Sequence, residues 1–196
     1  MTEPSTVFVH PSAIVDEPAT VGEGTKIWHF CHIMAGAVIG SNCVLGQNVY
    51  VAGRVTIGHG CRIQNNVSLY DGVTLEDEVF LGPSCVFTNV RNPRASVKCR
   101  AFELTQVQRG ATLGANCTIV AGCMIGSWSF VGAGSTVLES IPNFALVVGN
   151  PAKQIGWMSR RGERLSFDAG IARCPETGEL YRMTPAGVEF AKDLSQ

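Results

Sequence analysis

Asp71 and Asn89 each stand two positions after a large apolar residue, Leu69 and Phe87, and are separated by three hexads of sequence. A carboxylate accepts a proton and a carboxamide holds an amine by hydrogen bonds, so this pair suits the orientation and deprotonation of a nucleophile. The plainer reading makes both of them turn residues, Asp71 bonding the backbone before Gly72. Four histidines, His10, His29, His32 and His59, are irregularly spaced. His29 and His32 lie in Ile27-Trp28-His29-Phe30-Cys31-His32, in line with Gln47-Asn48 and Asn65-Asn66, where imidazole and amide groups can bond a nucleobase or a diphosphate. His10 reads as structural and His59 as a solvated turn residue. Arg91, Arg94, Lys98 and Arg100 form a cationic cluster within the segment 88–112, whose single acid is Glu103.

What must position these groups is a repeat of six. An aliphatic residue recurs every six positions from Val9 to Leu81, Phe87 keeps the phase, and the series resumes from Leu113 to Val137. Four positions after each anchor comes a small or β-branched residue, such as Ala13, Thr25, Cys43 or Val55. A period of six fits neither a helix nor a continuous strand, but it fits short strands joined by corners. Gly, Asn and Asp crowd the positions between, where left-handed backbone angles cost least. Three edges make one coil, and coils stack at the inter-strand spacing of about 4.8 Å, so Asp71 and Asn89 become vertical neighbours. Six of the cysteines, Cys31, Cys43, Cys61, Cys85, Cys117 and Cys123, share one inward phase and read as small core residues rather than disulfide halves or metal ligands.

The chain of 196 residues is 45% hydrophobic and has a net charge of -1, which fits one soluble domain and excludes a globally basic nucleic-acid binder. No apolar run is long enough to span a bilayer, and Met1-Thr2-Glu3-Pro4-Ser5 lacks the features of a signal peptide, so a cytoplasmic protein with no membrane partner is expected. Trp28, Met34, Val38, Val44, Phe80, Val86, Val120, Met124 and Phe130 fall at outward positions, an apolar surface that calls for burial against another subunit.

The repeat resembles the left-handed parallel β-helix of the hexapeptide-repeat acyltransferases over about 9–142. Val148-Gly149-Asn150-Pro151-Ala152-Lys153 is similar to the exit sequence of sugar O- and N-acetyltransferases with that fold. The segments 65–73 and 82–94, with 27–32, resemble bacterial N-acetyltransferases of nucleotide-linked 3-amino sugars, most of all those acting on a UDP-linked 2-acetamido-3-amino-2,3-dideoxyglucuronate. The resemblance implies an all-β fold, with a β-helix domain over 1–150, a loop at 88–112 and a C-terminal extension over 151–196. It further implies acetyl-CoA as cosubstrate, a nucleotide-linked amino sugar as acceptor, and a homotrimer with intersubunit active sites.

On this resemblance Asn89 orients the sugar 3-amino group and Asp71 is an optional base, the departing thiolate otherwise taking the proton. His29, His32, Asn66, Tyr70, Arg91 and Arg94 are the expected sugar-nucleotide contacts. Ser127, Trp128, Lys153 and Arg160 are the expected coenzyme A contacts, with Ser127 and Trp128 stacked next to Asn89. Related dTDP-aminosugar enzymes often carry an acid after this Asn, where Val90 stands here. The alternatives are an acceptor linked to dTDP and a non-catalytic β-helix binding protein. A zinc carbonic anhydrase on this fold fails on the histidine spacings, and no metal is expected.

Overall fold

The computed structural model describes residues 6–99, 101–185 and 187–191, and every regular element in them is a β-strand. Short strands, most of them of two residues, alternate with corners, and the chain winds through three parallel sheets in turn. The first face begins with Phe8–Val9, Lys26–Ile27 and Val44–Leu45, the second with Ile14–Val15, His32–Ile33 and Tyr50–Val51, and the third with Thr20–Val21, Val38–Ile39 and Thr56–Ile57. Partners on adjacent coils are three hexads apart, as in Lys26↔Val44 and Tyr50↔Ser68. The fold is thus the expected parallel β-helix of hexapeptide repeats.

Aliphatic anchors from Ile27 to Val137 are buried in one continuous core. The small residues before each strand close that core in a specific way. Thr25 Oγ1 donates to Gly40 O at 2.8 Å, and the thiols of Cys31, Cys43 and Cys61 donate to the carbonyls of Gly46, Gly58 and Glu76 at 3.0, 3.1 and 3.1 Å. Cys is thus used where a small donor must meet the next coil's corner. All six in-phase cysteines are buried and reduced, and burial pushes the Cys31 and Cys123 thiols up, so those two remain protonated. Glycine is required where coils touch: a Cβ at Gly40 would lie 2.6 Å from Gly58 O.

One expectation needs correcting. The repeat resumes at Thr105–Val107, not at Leu113, and Val107 is a fully buried anchor in phase with it. Across the insertion the third-face partners are Val73↔Thr105 and the first-face partners Phe80↔Thr112, so one coil is longer than the others. The added length is not a whole number of hexads, which is why the anchors after the loop fall in a new phase. The insertion leaves at the corner after Val86–Phe87 and re-enters the very next face. The register above the loop shifts accordingly, which moves Ser127 and Trp128 to another corner.

Ala145–Val148 continues the first face, and Lys153–Met158 pairs antiparallel to it. Ile171–Arg173, Leu180–Thr184 and Gly187–Ala191 then form an antiparallel sheet, with a turn at Cys174–Gly178 between the first two strands. Phe144, Leu165, Ala172, Cys174, Tyr181 and Val188 make a second core, against which Trp128 packs. Burial pushes the Tyr181 phenol up to about 12, and its hydroxyl accepts from Arg160 N–H and donates to Glu179, each at 3.0 Å.

Candidate active site

Asp71 and Asn89 stack on the corner between the second and third faces. Asn89 Nδ2 donates to the Asp71 carbonyl at 3.4 Å, and Asp71 Oδ1 accepts the Arg54 N–H at 3.1 Å. The Asp71 carboxylate is therefore partly spent on capping the coil below, as the turn reading requires, while the pair remains adjacent. Two depressions flank this corner. One, on the second face, is lined by Tyr70, Phe87, Thr88, Asn89, Val90 and Pro93. The other, under the loop on the third face, is lined by Arg54, Asp71, Gly72, Thr74, Phe102 and Leu104 among others.

Tyr70 lies beside Asn89 and opens a ladder of rings down the second face. The centroids of Tyr70 and Tyr50 are 5.8 Å apart, and His32 meets Tyr50 edge-on at 5.9 Å. His32 Nε2 lies 2.9 Å from Asp16 Oδ2, which fixes the imidazole at the lower end. Tyr50 escaped sequence reasoning, although its position, one full coil after His32 and at the strand below Ser68, was the available signal. His29 and Asn66 sit on the corner between the first and second faces. His29 stacks on His10 at 3.5 Å, and Asn66 accepts from the Asn48 amide at 3.1 Å.

Among the described residues the loop cations are exposed, but Arg91 is also paired within the protein. Arg91 Nη2 donates to Ala121 O at 3.1 Å and Arg91 Nε lies 3.6 Å from Glu103 Oε2. Arg94 is exposed and donates to the Pro93 carbonyl at 3.1 Å. Lys98 is exposed, and Arg100 lies outside the described residues.

The expected coenzyme contacts separate into two places. Lys153 borders a depression with Val137, Leu138, Glu139, Pro151 and Ala152, at the upper end of the corner that carries Asn89. Above Asn89 on that corner come Ala121 and then Glu139, since Thr88 is in line with Val120 and Leu138. Lys153 offers a phosphate one cation there, beside the apolar Val137, Leu138 and Pro151 and the polar Glu139, Ser140 and Gln154. Ser127 and Trp128, by contrast, belong to the corner between the third and first faces, above Arg109 rather than beside Asn89. Ser127 N–H donates to Asn143 Oδ1 at 2.8 Å, and Trp128 carries the Arg160 guanidinium 4.9 Å from its ring centre. Arg160 is also 5.0 Å from the Phe190 ring, so it is held between two aromatic faces. Among the described residues, no group of three or more His, Cys, Asp or Glu side chains is placed to hold a metal ion, and no helix is long and apolar enough to cross a membrane.

The fold is a prism of hexapeptide repeats interrupted at one corner, with a carboxamide and a carboxylate at the break. A family model described as bacterial transferase hexapeptide (six repeats) matches residues 18–53 and 105–139, and one described as hexapeptide repeat of succinyl-transferase matches 36–71. The dTDP-3-amino-3,6-dideoxy-alpha-D-galactopyranose 3-N-acetyltransferase of Aneurinibacillus thermoaerophilus is 43% identical over 177 residues, covering 90% of this chain and 91% of its own. The chain belongs to the hexapeptide-repeat acyltransferase family, and within it stands with the N-acetyltransferases.

The bifunctional protein GlmU of Nostoc is 27% identical over 164 residues, 80% of this chain but 33% of that protein. The acetyltransferase domain of PglB from Neisseria gonorrhoeae, solved also with acetyl coenzyme A, superposes with a TM-score of 0.50 at 19% identity. That match spans 78% of this chain and 58% of that one, and it is a likeness of fold. The Aneurinibacillus relative is named for a dTDP-linked 6-deoxy sugar, where the segment resemblance led us to expect a UDP-linked uronate.

Proposed function

We propose that this protein transfers an acetyl group from acetyl-CoA to the 3-amino group of a nucleotide-linked amino sugar at the Asp71–Asn89 corner, and that the nucleotide is dTDP and the sugar a 3-amino-3,6-dideoxyhexose. The observation that carries this reading is the break of the repeat at Asn89, with a depression on each side of the stacked pair. The amine nitrogen forms a bond to the thioester carbon, the carbon–sulfur bond breaks, and the proton leaving nitrogen passes to the thiolate or to Asp71. Asn89 holds the amine in line for this step, which is a task of orientation.

The acceptor's nucleotide runs down the second face over Tyr70 and Tyr50 toward His32, where a pyrimidine can stack and bond. Coenzyme A runs up the same corner toward Lys153. The extensive identity to the dTDP-aminosugar enzyme supports the choice of nucleotide. A uronate would need a cation beside Asn89, and Arg91 is turned to Glu103 and Ala121. Trimer formation, with intersubunit sites, is proposed from the exposed Ile14, Met34, Tyr70, Val86 and Leu138 of the second face and Val38 and Met124 of the third. Release of free thiol from acetyl-CoA with a panel of dTDP- and UDP-linked 3-amino sugars tests the assignment. Turnover with the dTDP 6-deoxy sugars at least about tenfold above the UDP uronate in kcat/KM is expected, and the reverse order overturns the choice of acceptor.

A further inference from the structure

The two ends of the inserted loop meet at Asn89 through contacts that the repeat does not supply. Glu103 N–H donates to the Asn89 carbonyl at 3.0 Å, closing the loop on the residue proposed to hold the amine. The Glu103 side chain then turns back to Arg91, with Oε2 and Nε 3.6 Å apart, and Arg91 reaches the carbonyl of Ala121 one coil above. Space for this arrangement comes from two glycines. A Cβ at Gly72, in the coil below, would lie 2.6 Å from Glu103 O, and one at Gly122, in the coil above, would lie 2.7 Å from Glu103 Oε2. Both glycines hold positive φ, +99° and +86°, as Gly36 does at the same corner position, and a side chain at Gly122 would meet the Glu103 carboxylate. Thr105 completes the seam: its N–H donates to Gly72 O at 2.8 Å and its Oγ1 accepts from Gly122 N–H at 3.2 Å.

We propose that Arg91 and Glu103 are a positioning pair, a clamp on the neck of the loop that fixes the Asn89 backbone and thereby aims its carboxamide. The inference rests on the proposed role of Asn89. Arg91 is thus reassigned from substrate contact to positioning. Both side chains are about half exposed, at 52% and 41%, and an ion pair in such a place contributes little to global stability. Its effect should be read in the rate, since a small misplacement of a group that orients a nucleophile is costly.

The test is a set of steady-state measurements on Arg91→Ala, Glu103→Gln, their combination, Asn89→Ala, and Asn89→Ala with Glu103→Gln. Each clamp variant should lower kcat by about tenfold, hold the sugar KM within about twofold, and leave the melting temperature nearly unchanged. The combined clamp variant should be no worse than either single one, and Glu103→Gln should cost nothing further in the Asn89→Ala background. Amide exchange at Glu103 should quicken in both clamp variants.

A raised sugar KM in Arg91→Ala with Glu103→Gln silent would make Arg91 a substrate contact and overturn the clamp. Full additivity with Asn89→Ala would overturn it too. If Asn89→Ala is inactive while Glu103→Gln is like wild type, only the clamp fails. If Asn89→Ala itself keeps wild-type kcat, the catalytic reading fails and the clamp with it.

Discussion

Two corners of the same prism are built from similar residues and end in different states. At the corner between the third and first faces, polar side chains of successive coils cap the coil beneath them. His59 Nδ1 accepts the Ser41 N–H at 3.0 Å, Asp77 Oδ1 accepts the His59 N–H at 2.8 Å, and Asn143 accepts from Ser127. Arg109 locks the column sideways, 3.1 Å from Glu78. At the corner between the second and third faces, Asp71 performs the same capping for Arg54, but the column is then opened by the insertion that begins after Asn89. The first corner is a hydrogen-bonded ladder and the second a ladder with a rung displaced. Regular repetition satisfies polar groups, and where the repetition fails the surface is left with a depression on each side of the corner.

The same substitution made at each corner should separate them most strongly. Asn89→Ala should lower kcat by about 10²-fold or more, whereas Asn143→Ala should leave kcat within about twofold and lower the melting temperature instead. Equal kcat losses at the two corners would erase the distinction.

Next in size is the coenzyme. Lys153→Ala should raise the KM for acetyl-CoA several-fold while sparing that of the sugar. Arg160→Ala should leave the coenzyme KM unchanged and cost stability, because its guanidinium lies between Trp128 and Phe190. A raised coenzyme KM in Arg160→Ala would return that residue to the coenzyme site.

Asp71→Asn should cost less than Asn89→Ala. Without an enzymic base the acidic limb of kcat/KM follows the substrate amine, so activity falls as pH drops and the amine becomes protonated. Changing the sugar should move that limb, and Asp71→Asn should not. A limb that disappears in Asp71→Asn would make the carboxylate the base. Smallest of all, Asp77→Asn in the closed ladder should cost about 1 kcal/mol or less of stability and leave kinetics untouched.

The anchors from Val9 to Leu81 announce three faces and their register directly, because a short buried strand leaves no freedom in which side chain points inward. The outward apolar residues and the buried thiols follow from the same phase. The re-entry point is harder to read. Val107 stands one hexad before Leu113 and carries the phase, but it is out of step with Phe87 and follows the polar Thr105 and Gln106, so nothing before it marks the restart. Counting coils from Leu113 puts Ser127 and Trp128 beside Asn89, whereas counting from Val107 puts them in the closed ladder.

The pairing of the loop's charges is hidden in the sequence for a related reason. Arg91 and Glu103 are far apart in sequence and meet only because the insertion closes on Asn89, so a cluster that reads as a ligand cradle is partly a self-contained pair. Trp128 and Arg160 are spoken for by a C-terminal sheet whose packing partner, Phe190, lies near the far end of the chain, where no repeat phase links it to Trp128.

The most direct test of the open corner as the site of transfer is a crystal structure with coenzyme A and a dTDP-linked 3-amino-3,6-dideoxyhexose bound together. The sugar nitrogen should lie about 3 Å from the Asn89 carboxamide, with the thiol on the side of the corner that leads up to Lys153. A sugar nitrogen lodged instead along the closed ladder near Trp128, out of hydrogen-bond reach of Asn89, would contradict it.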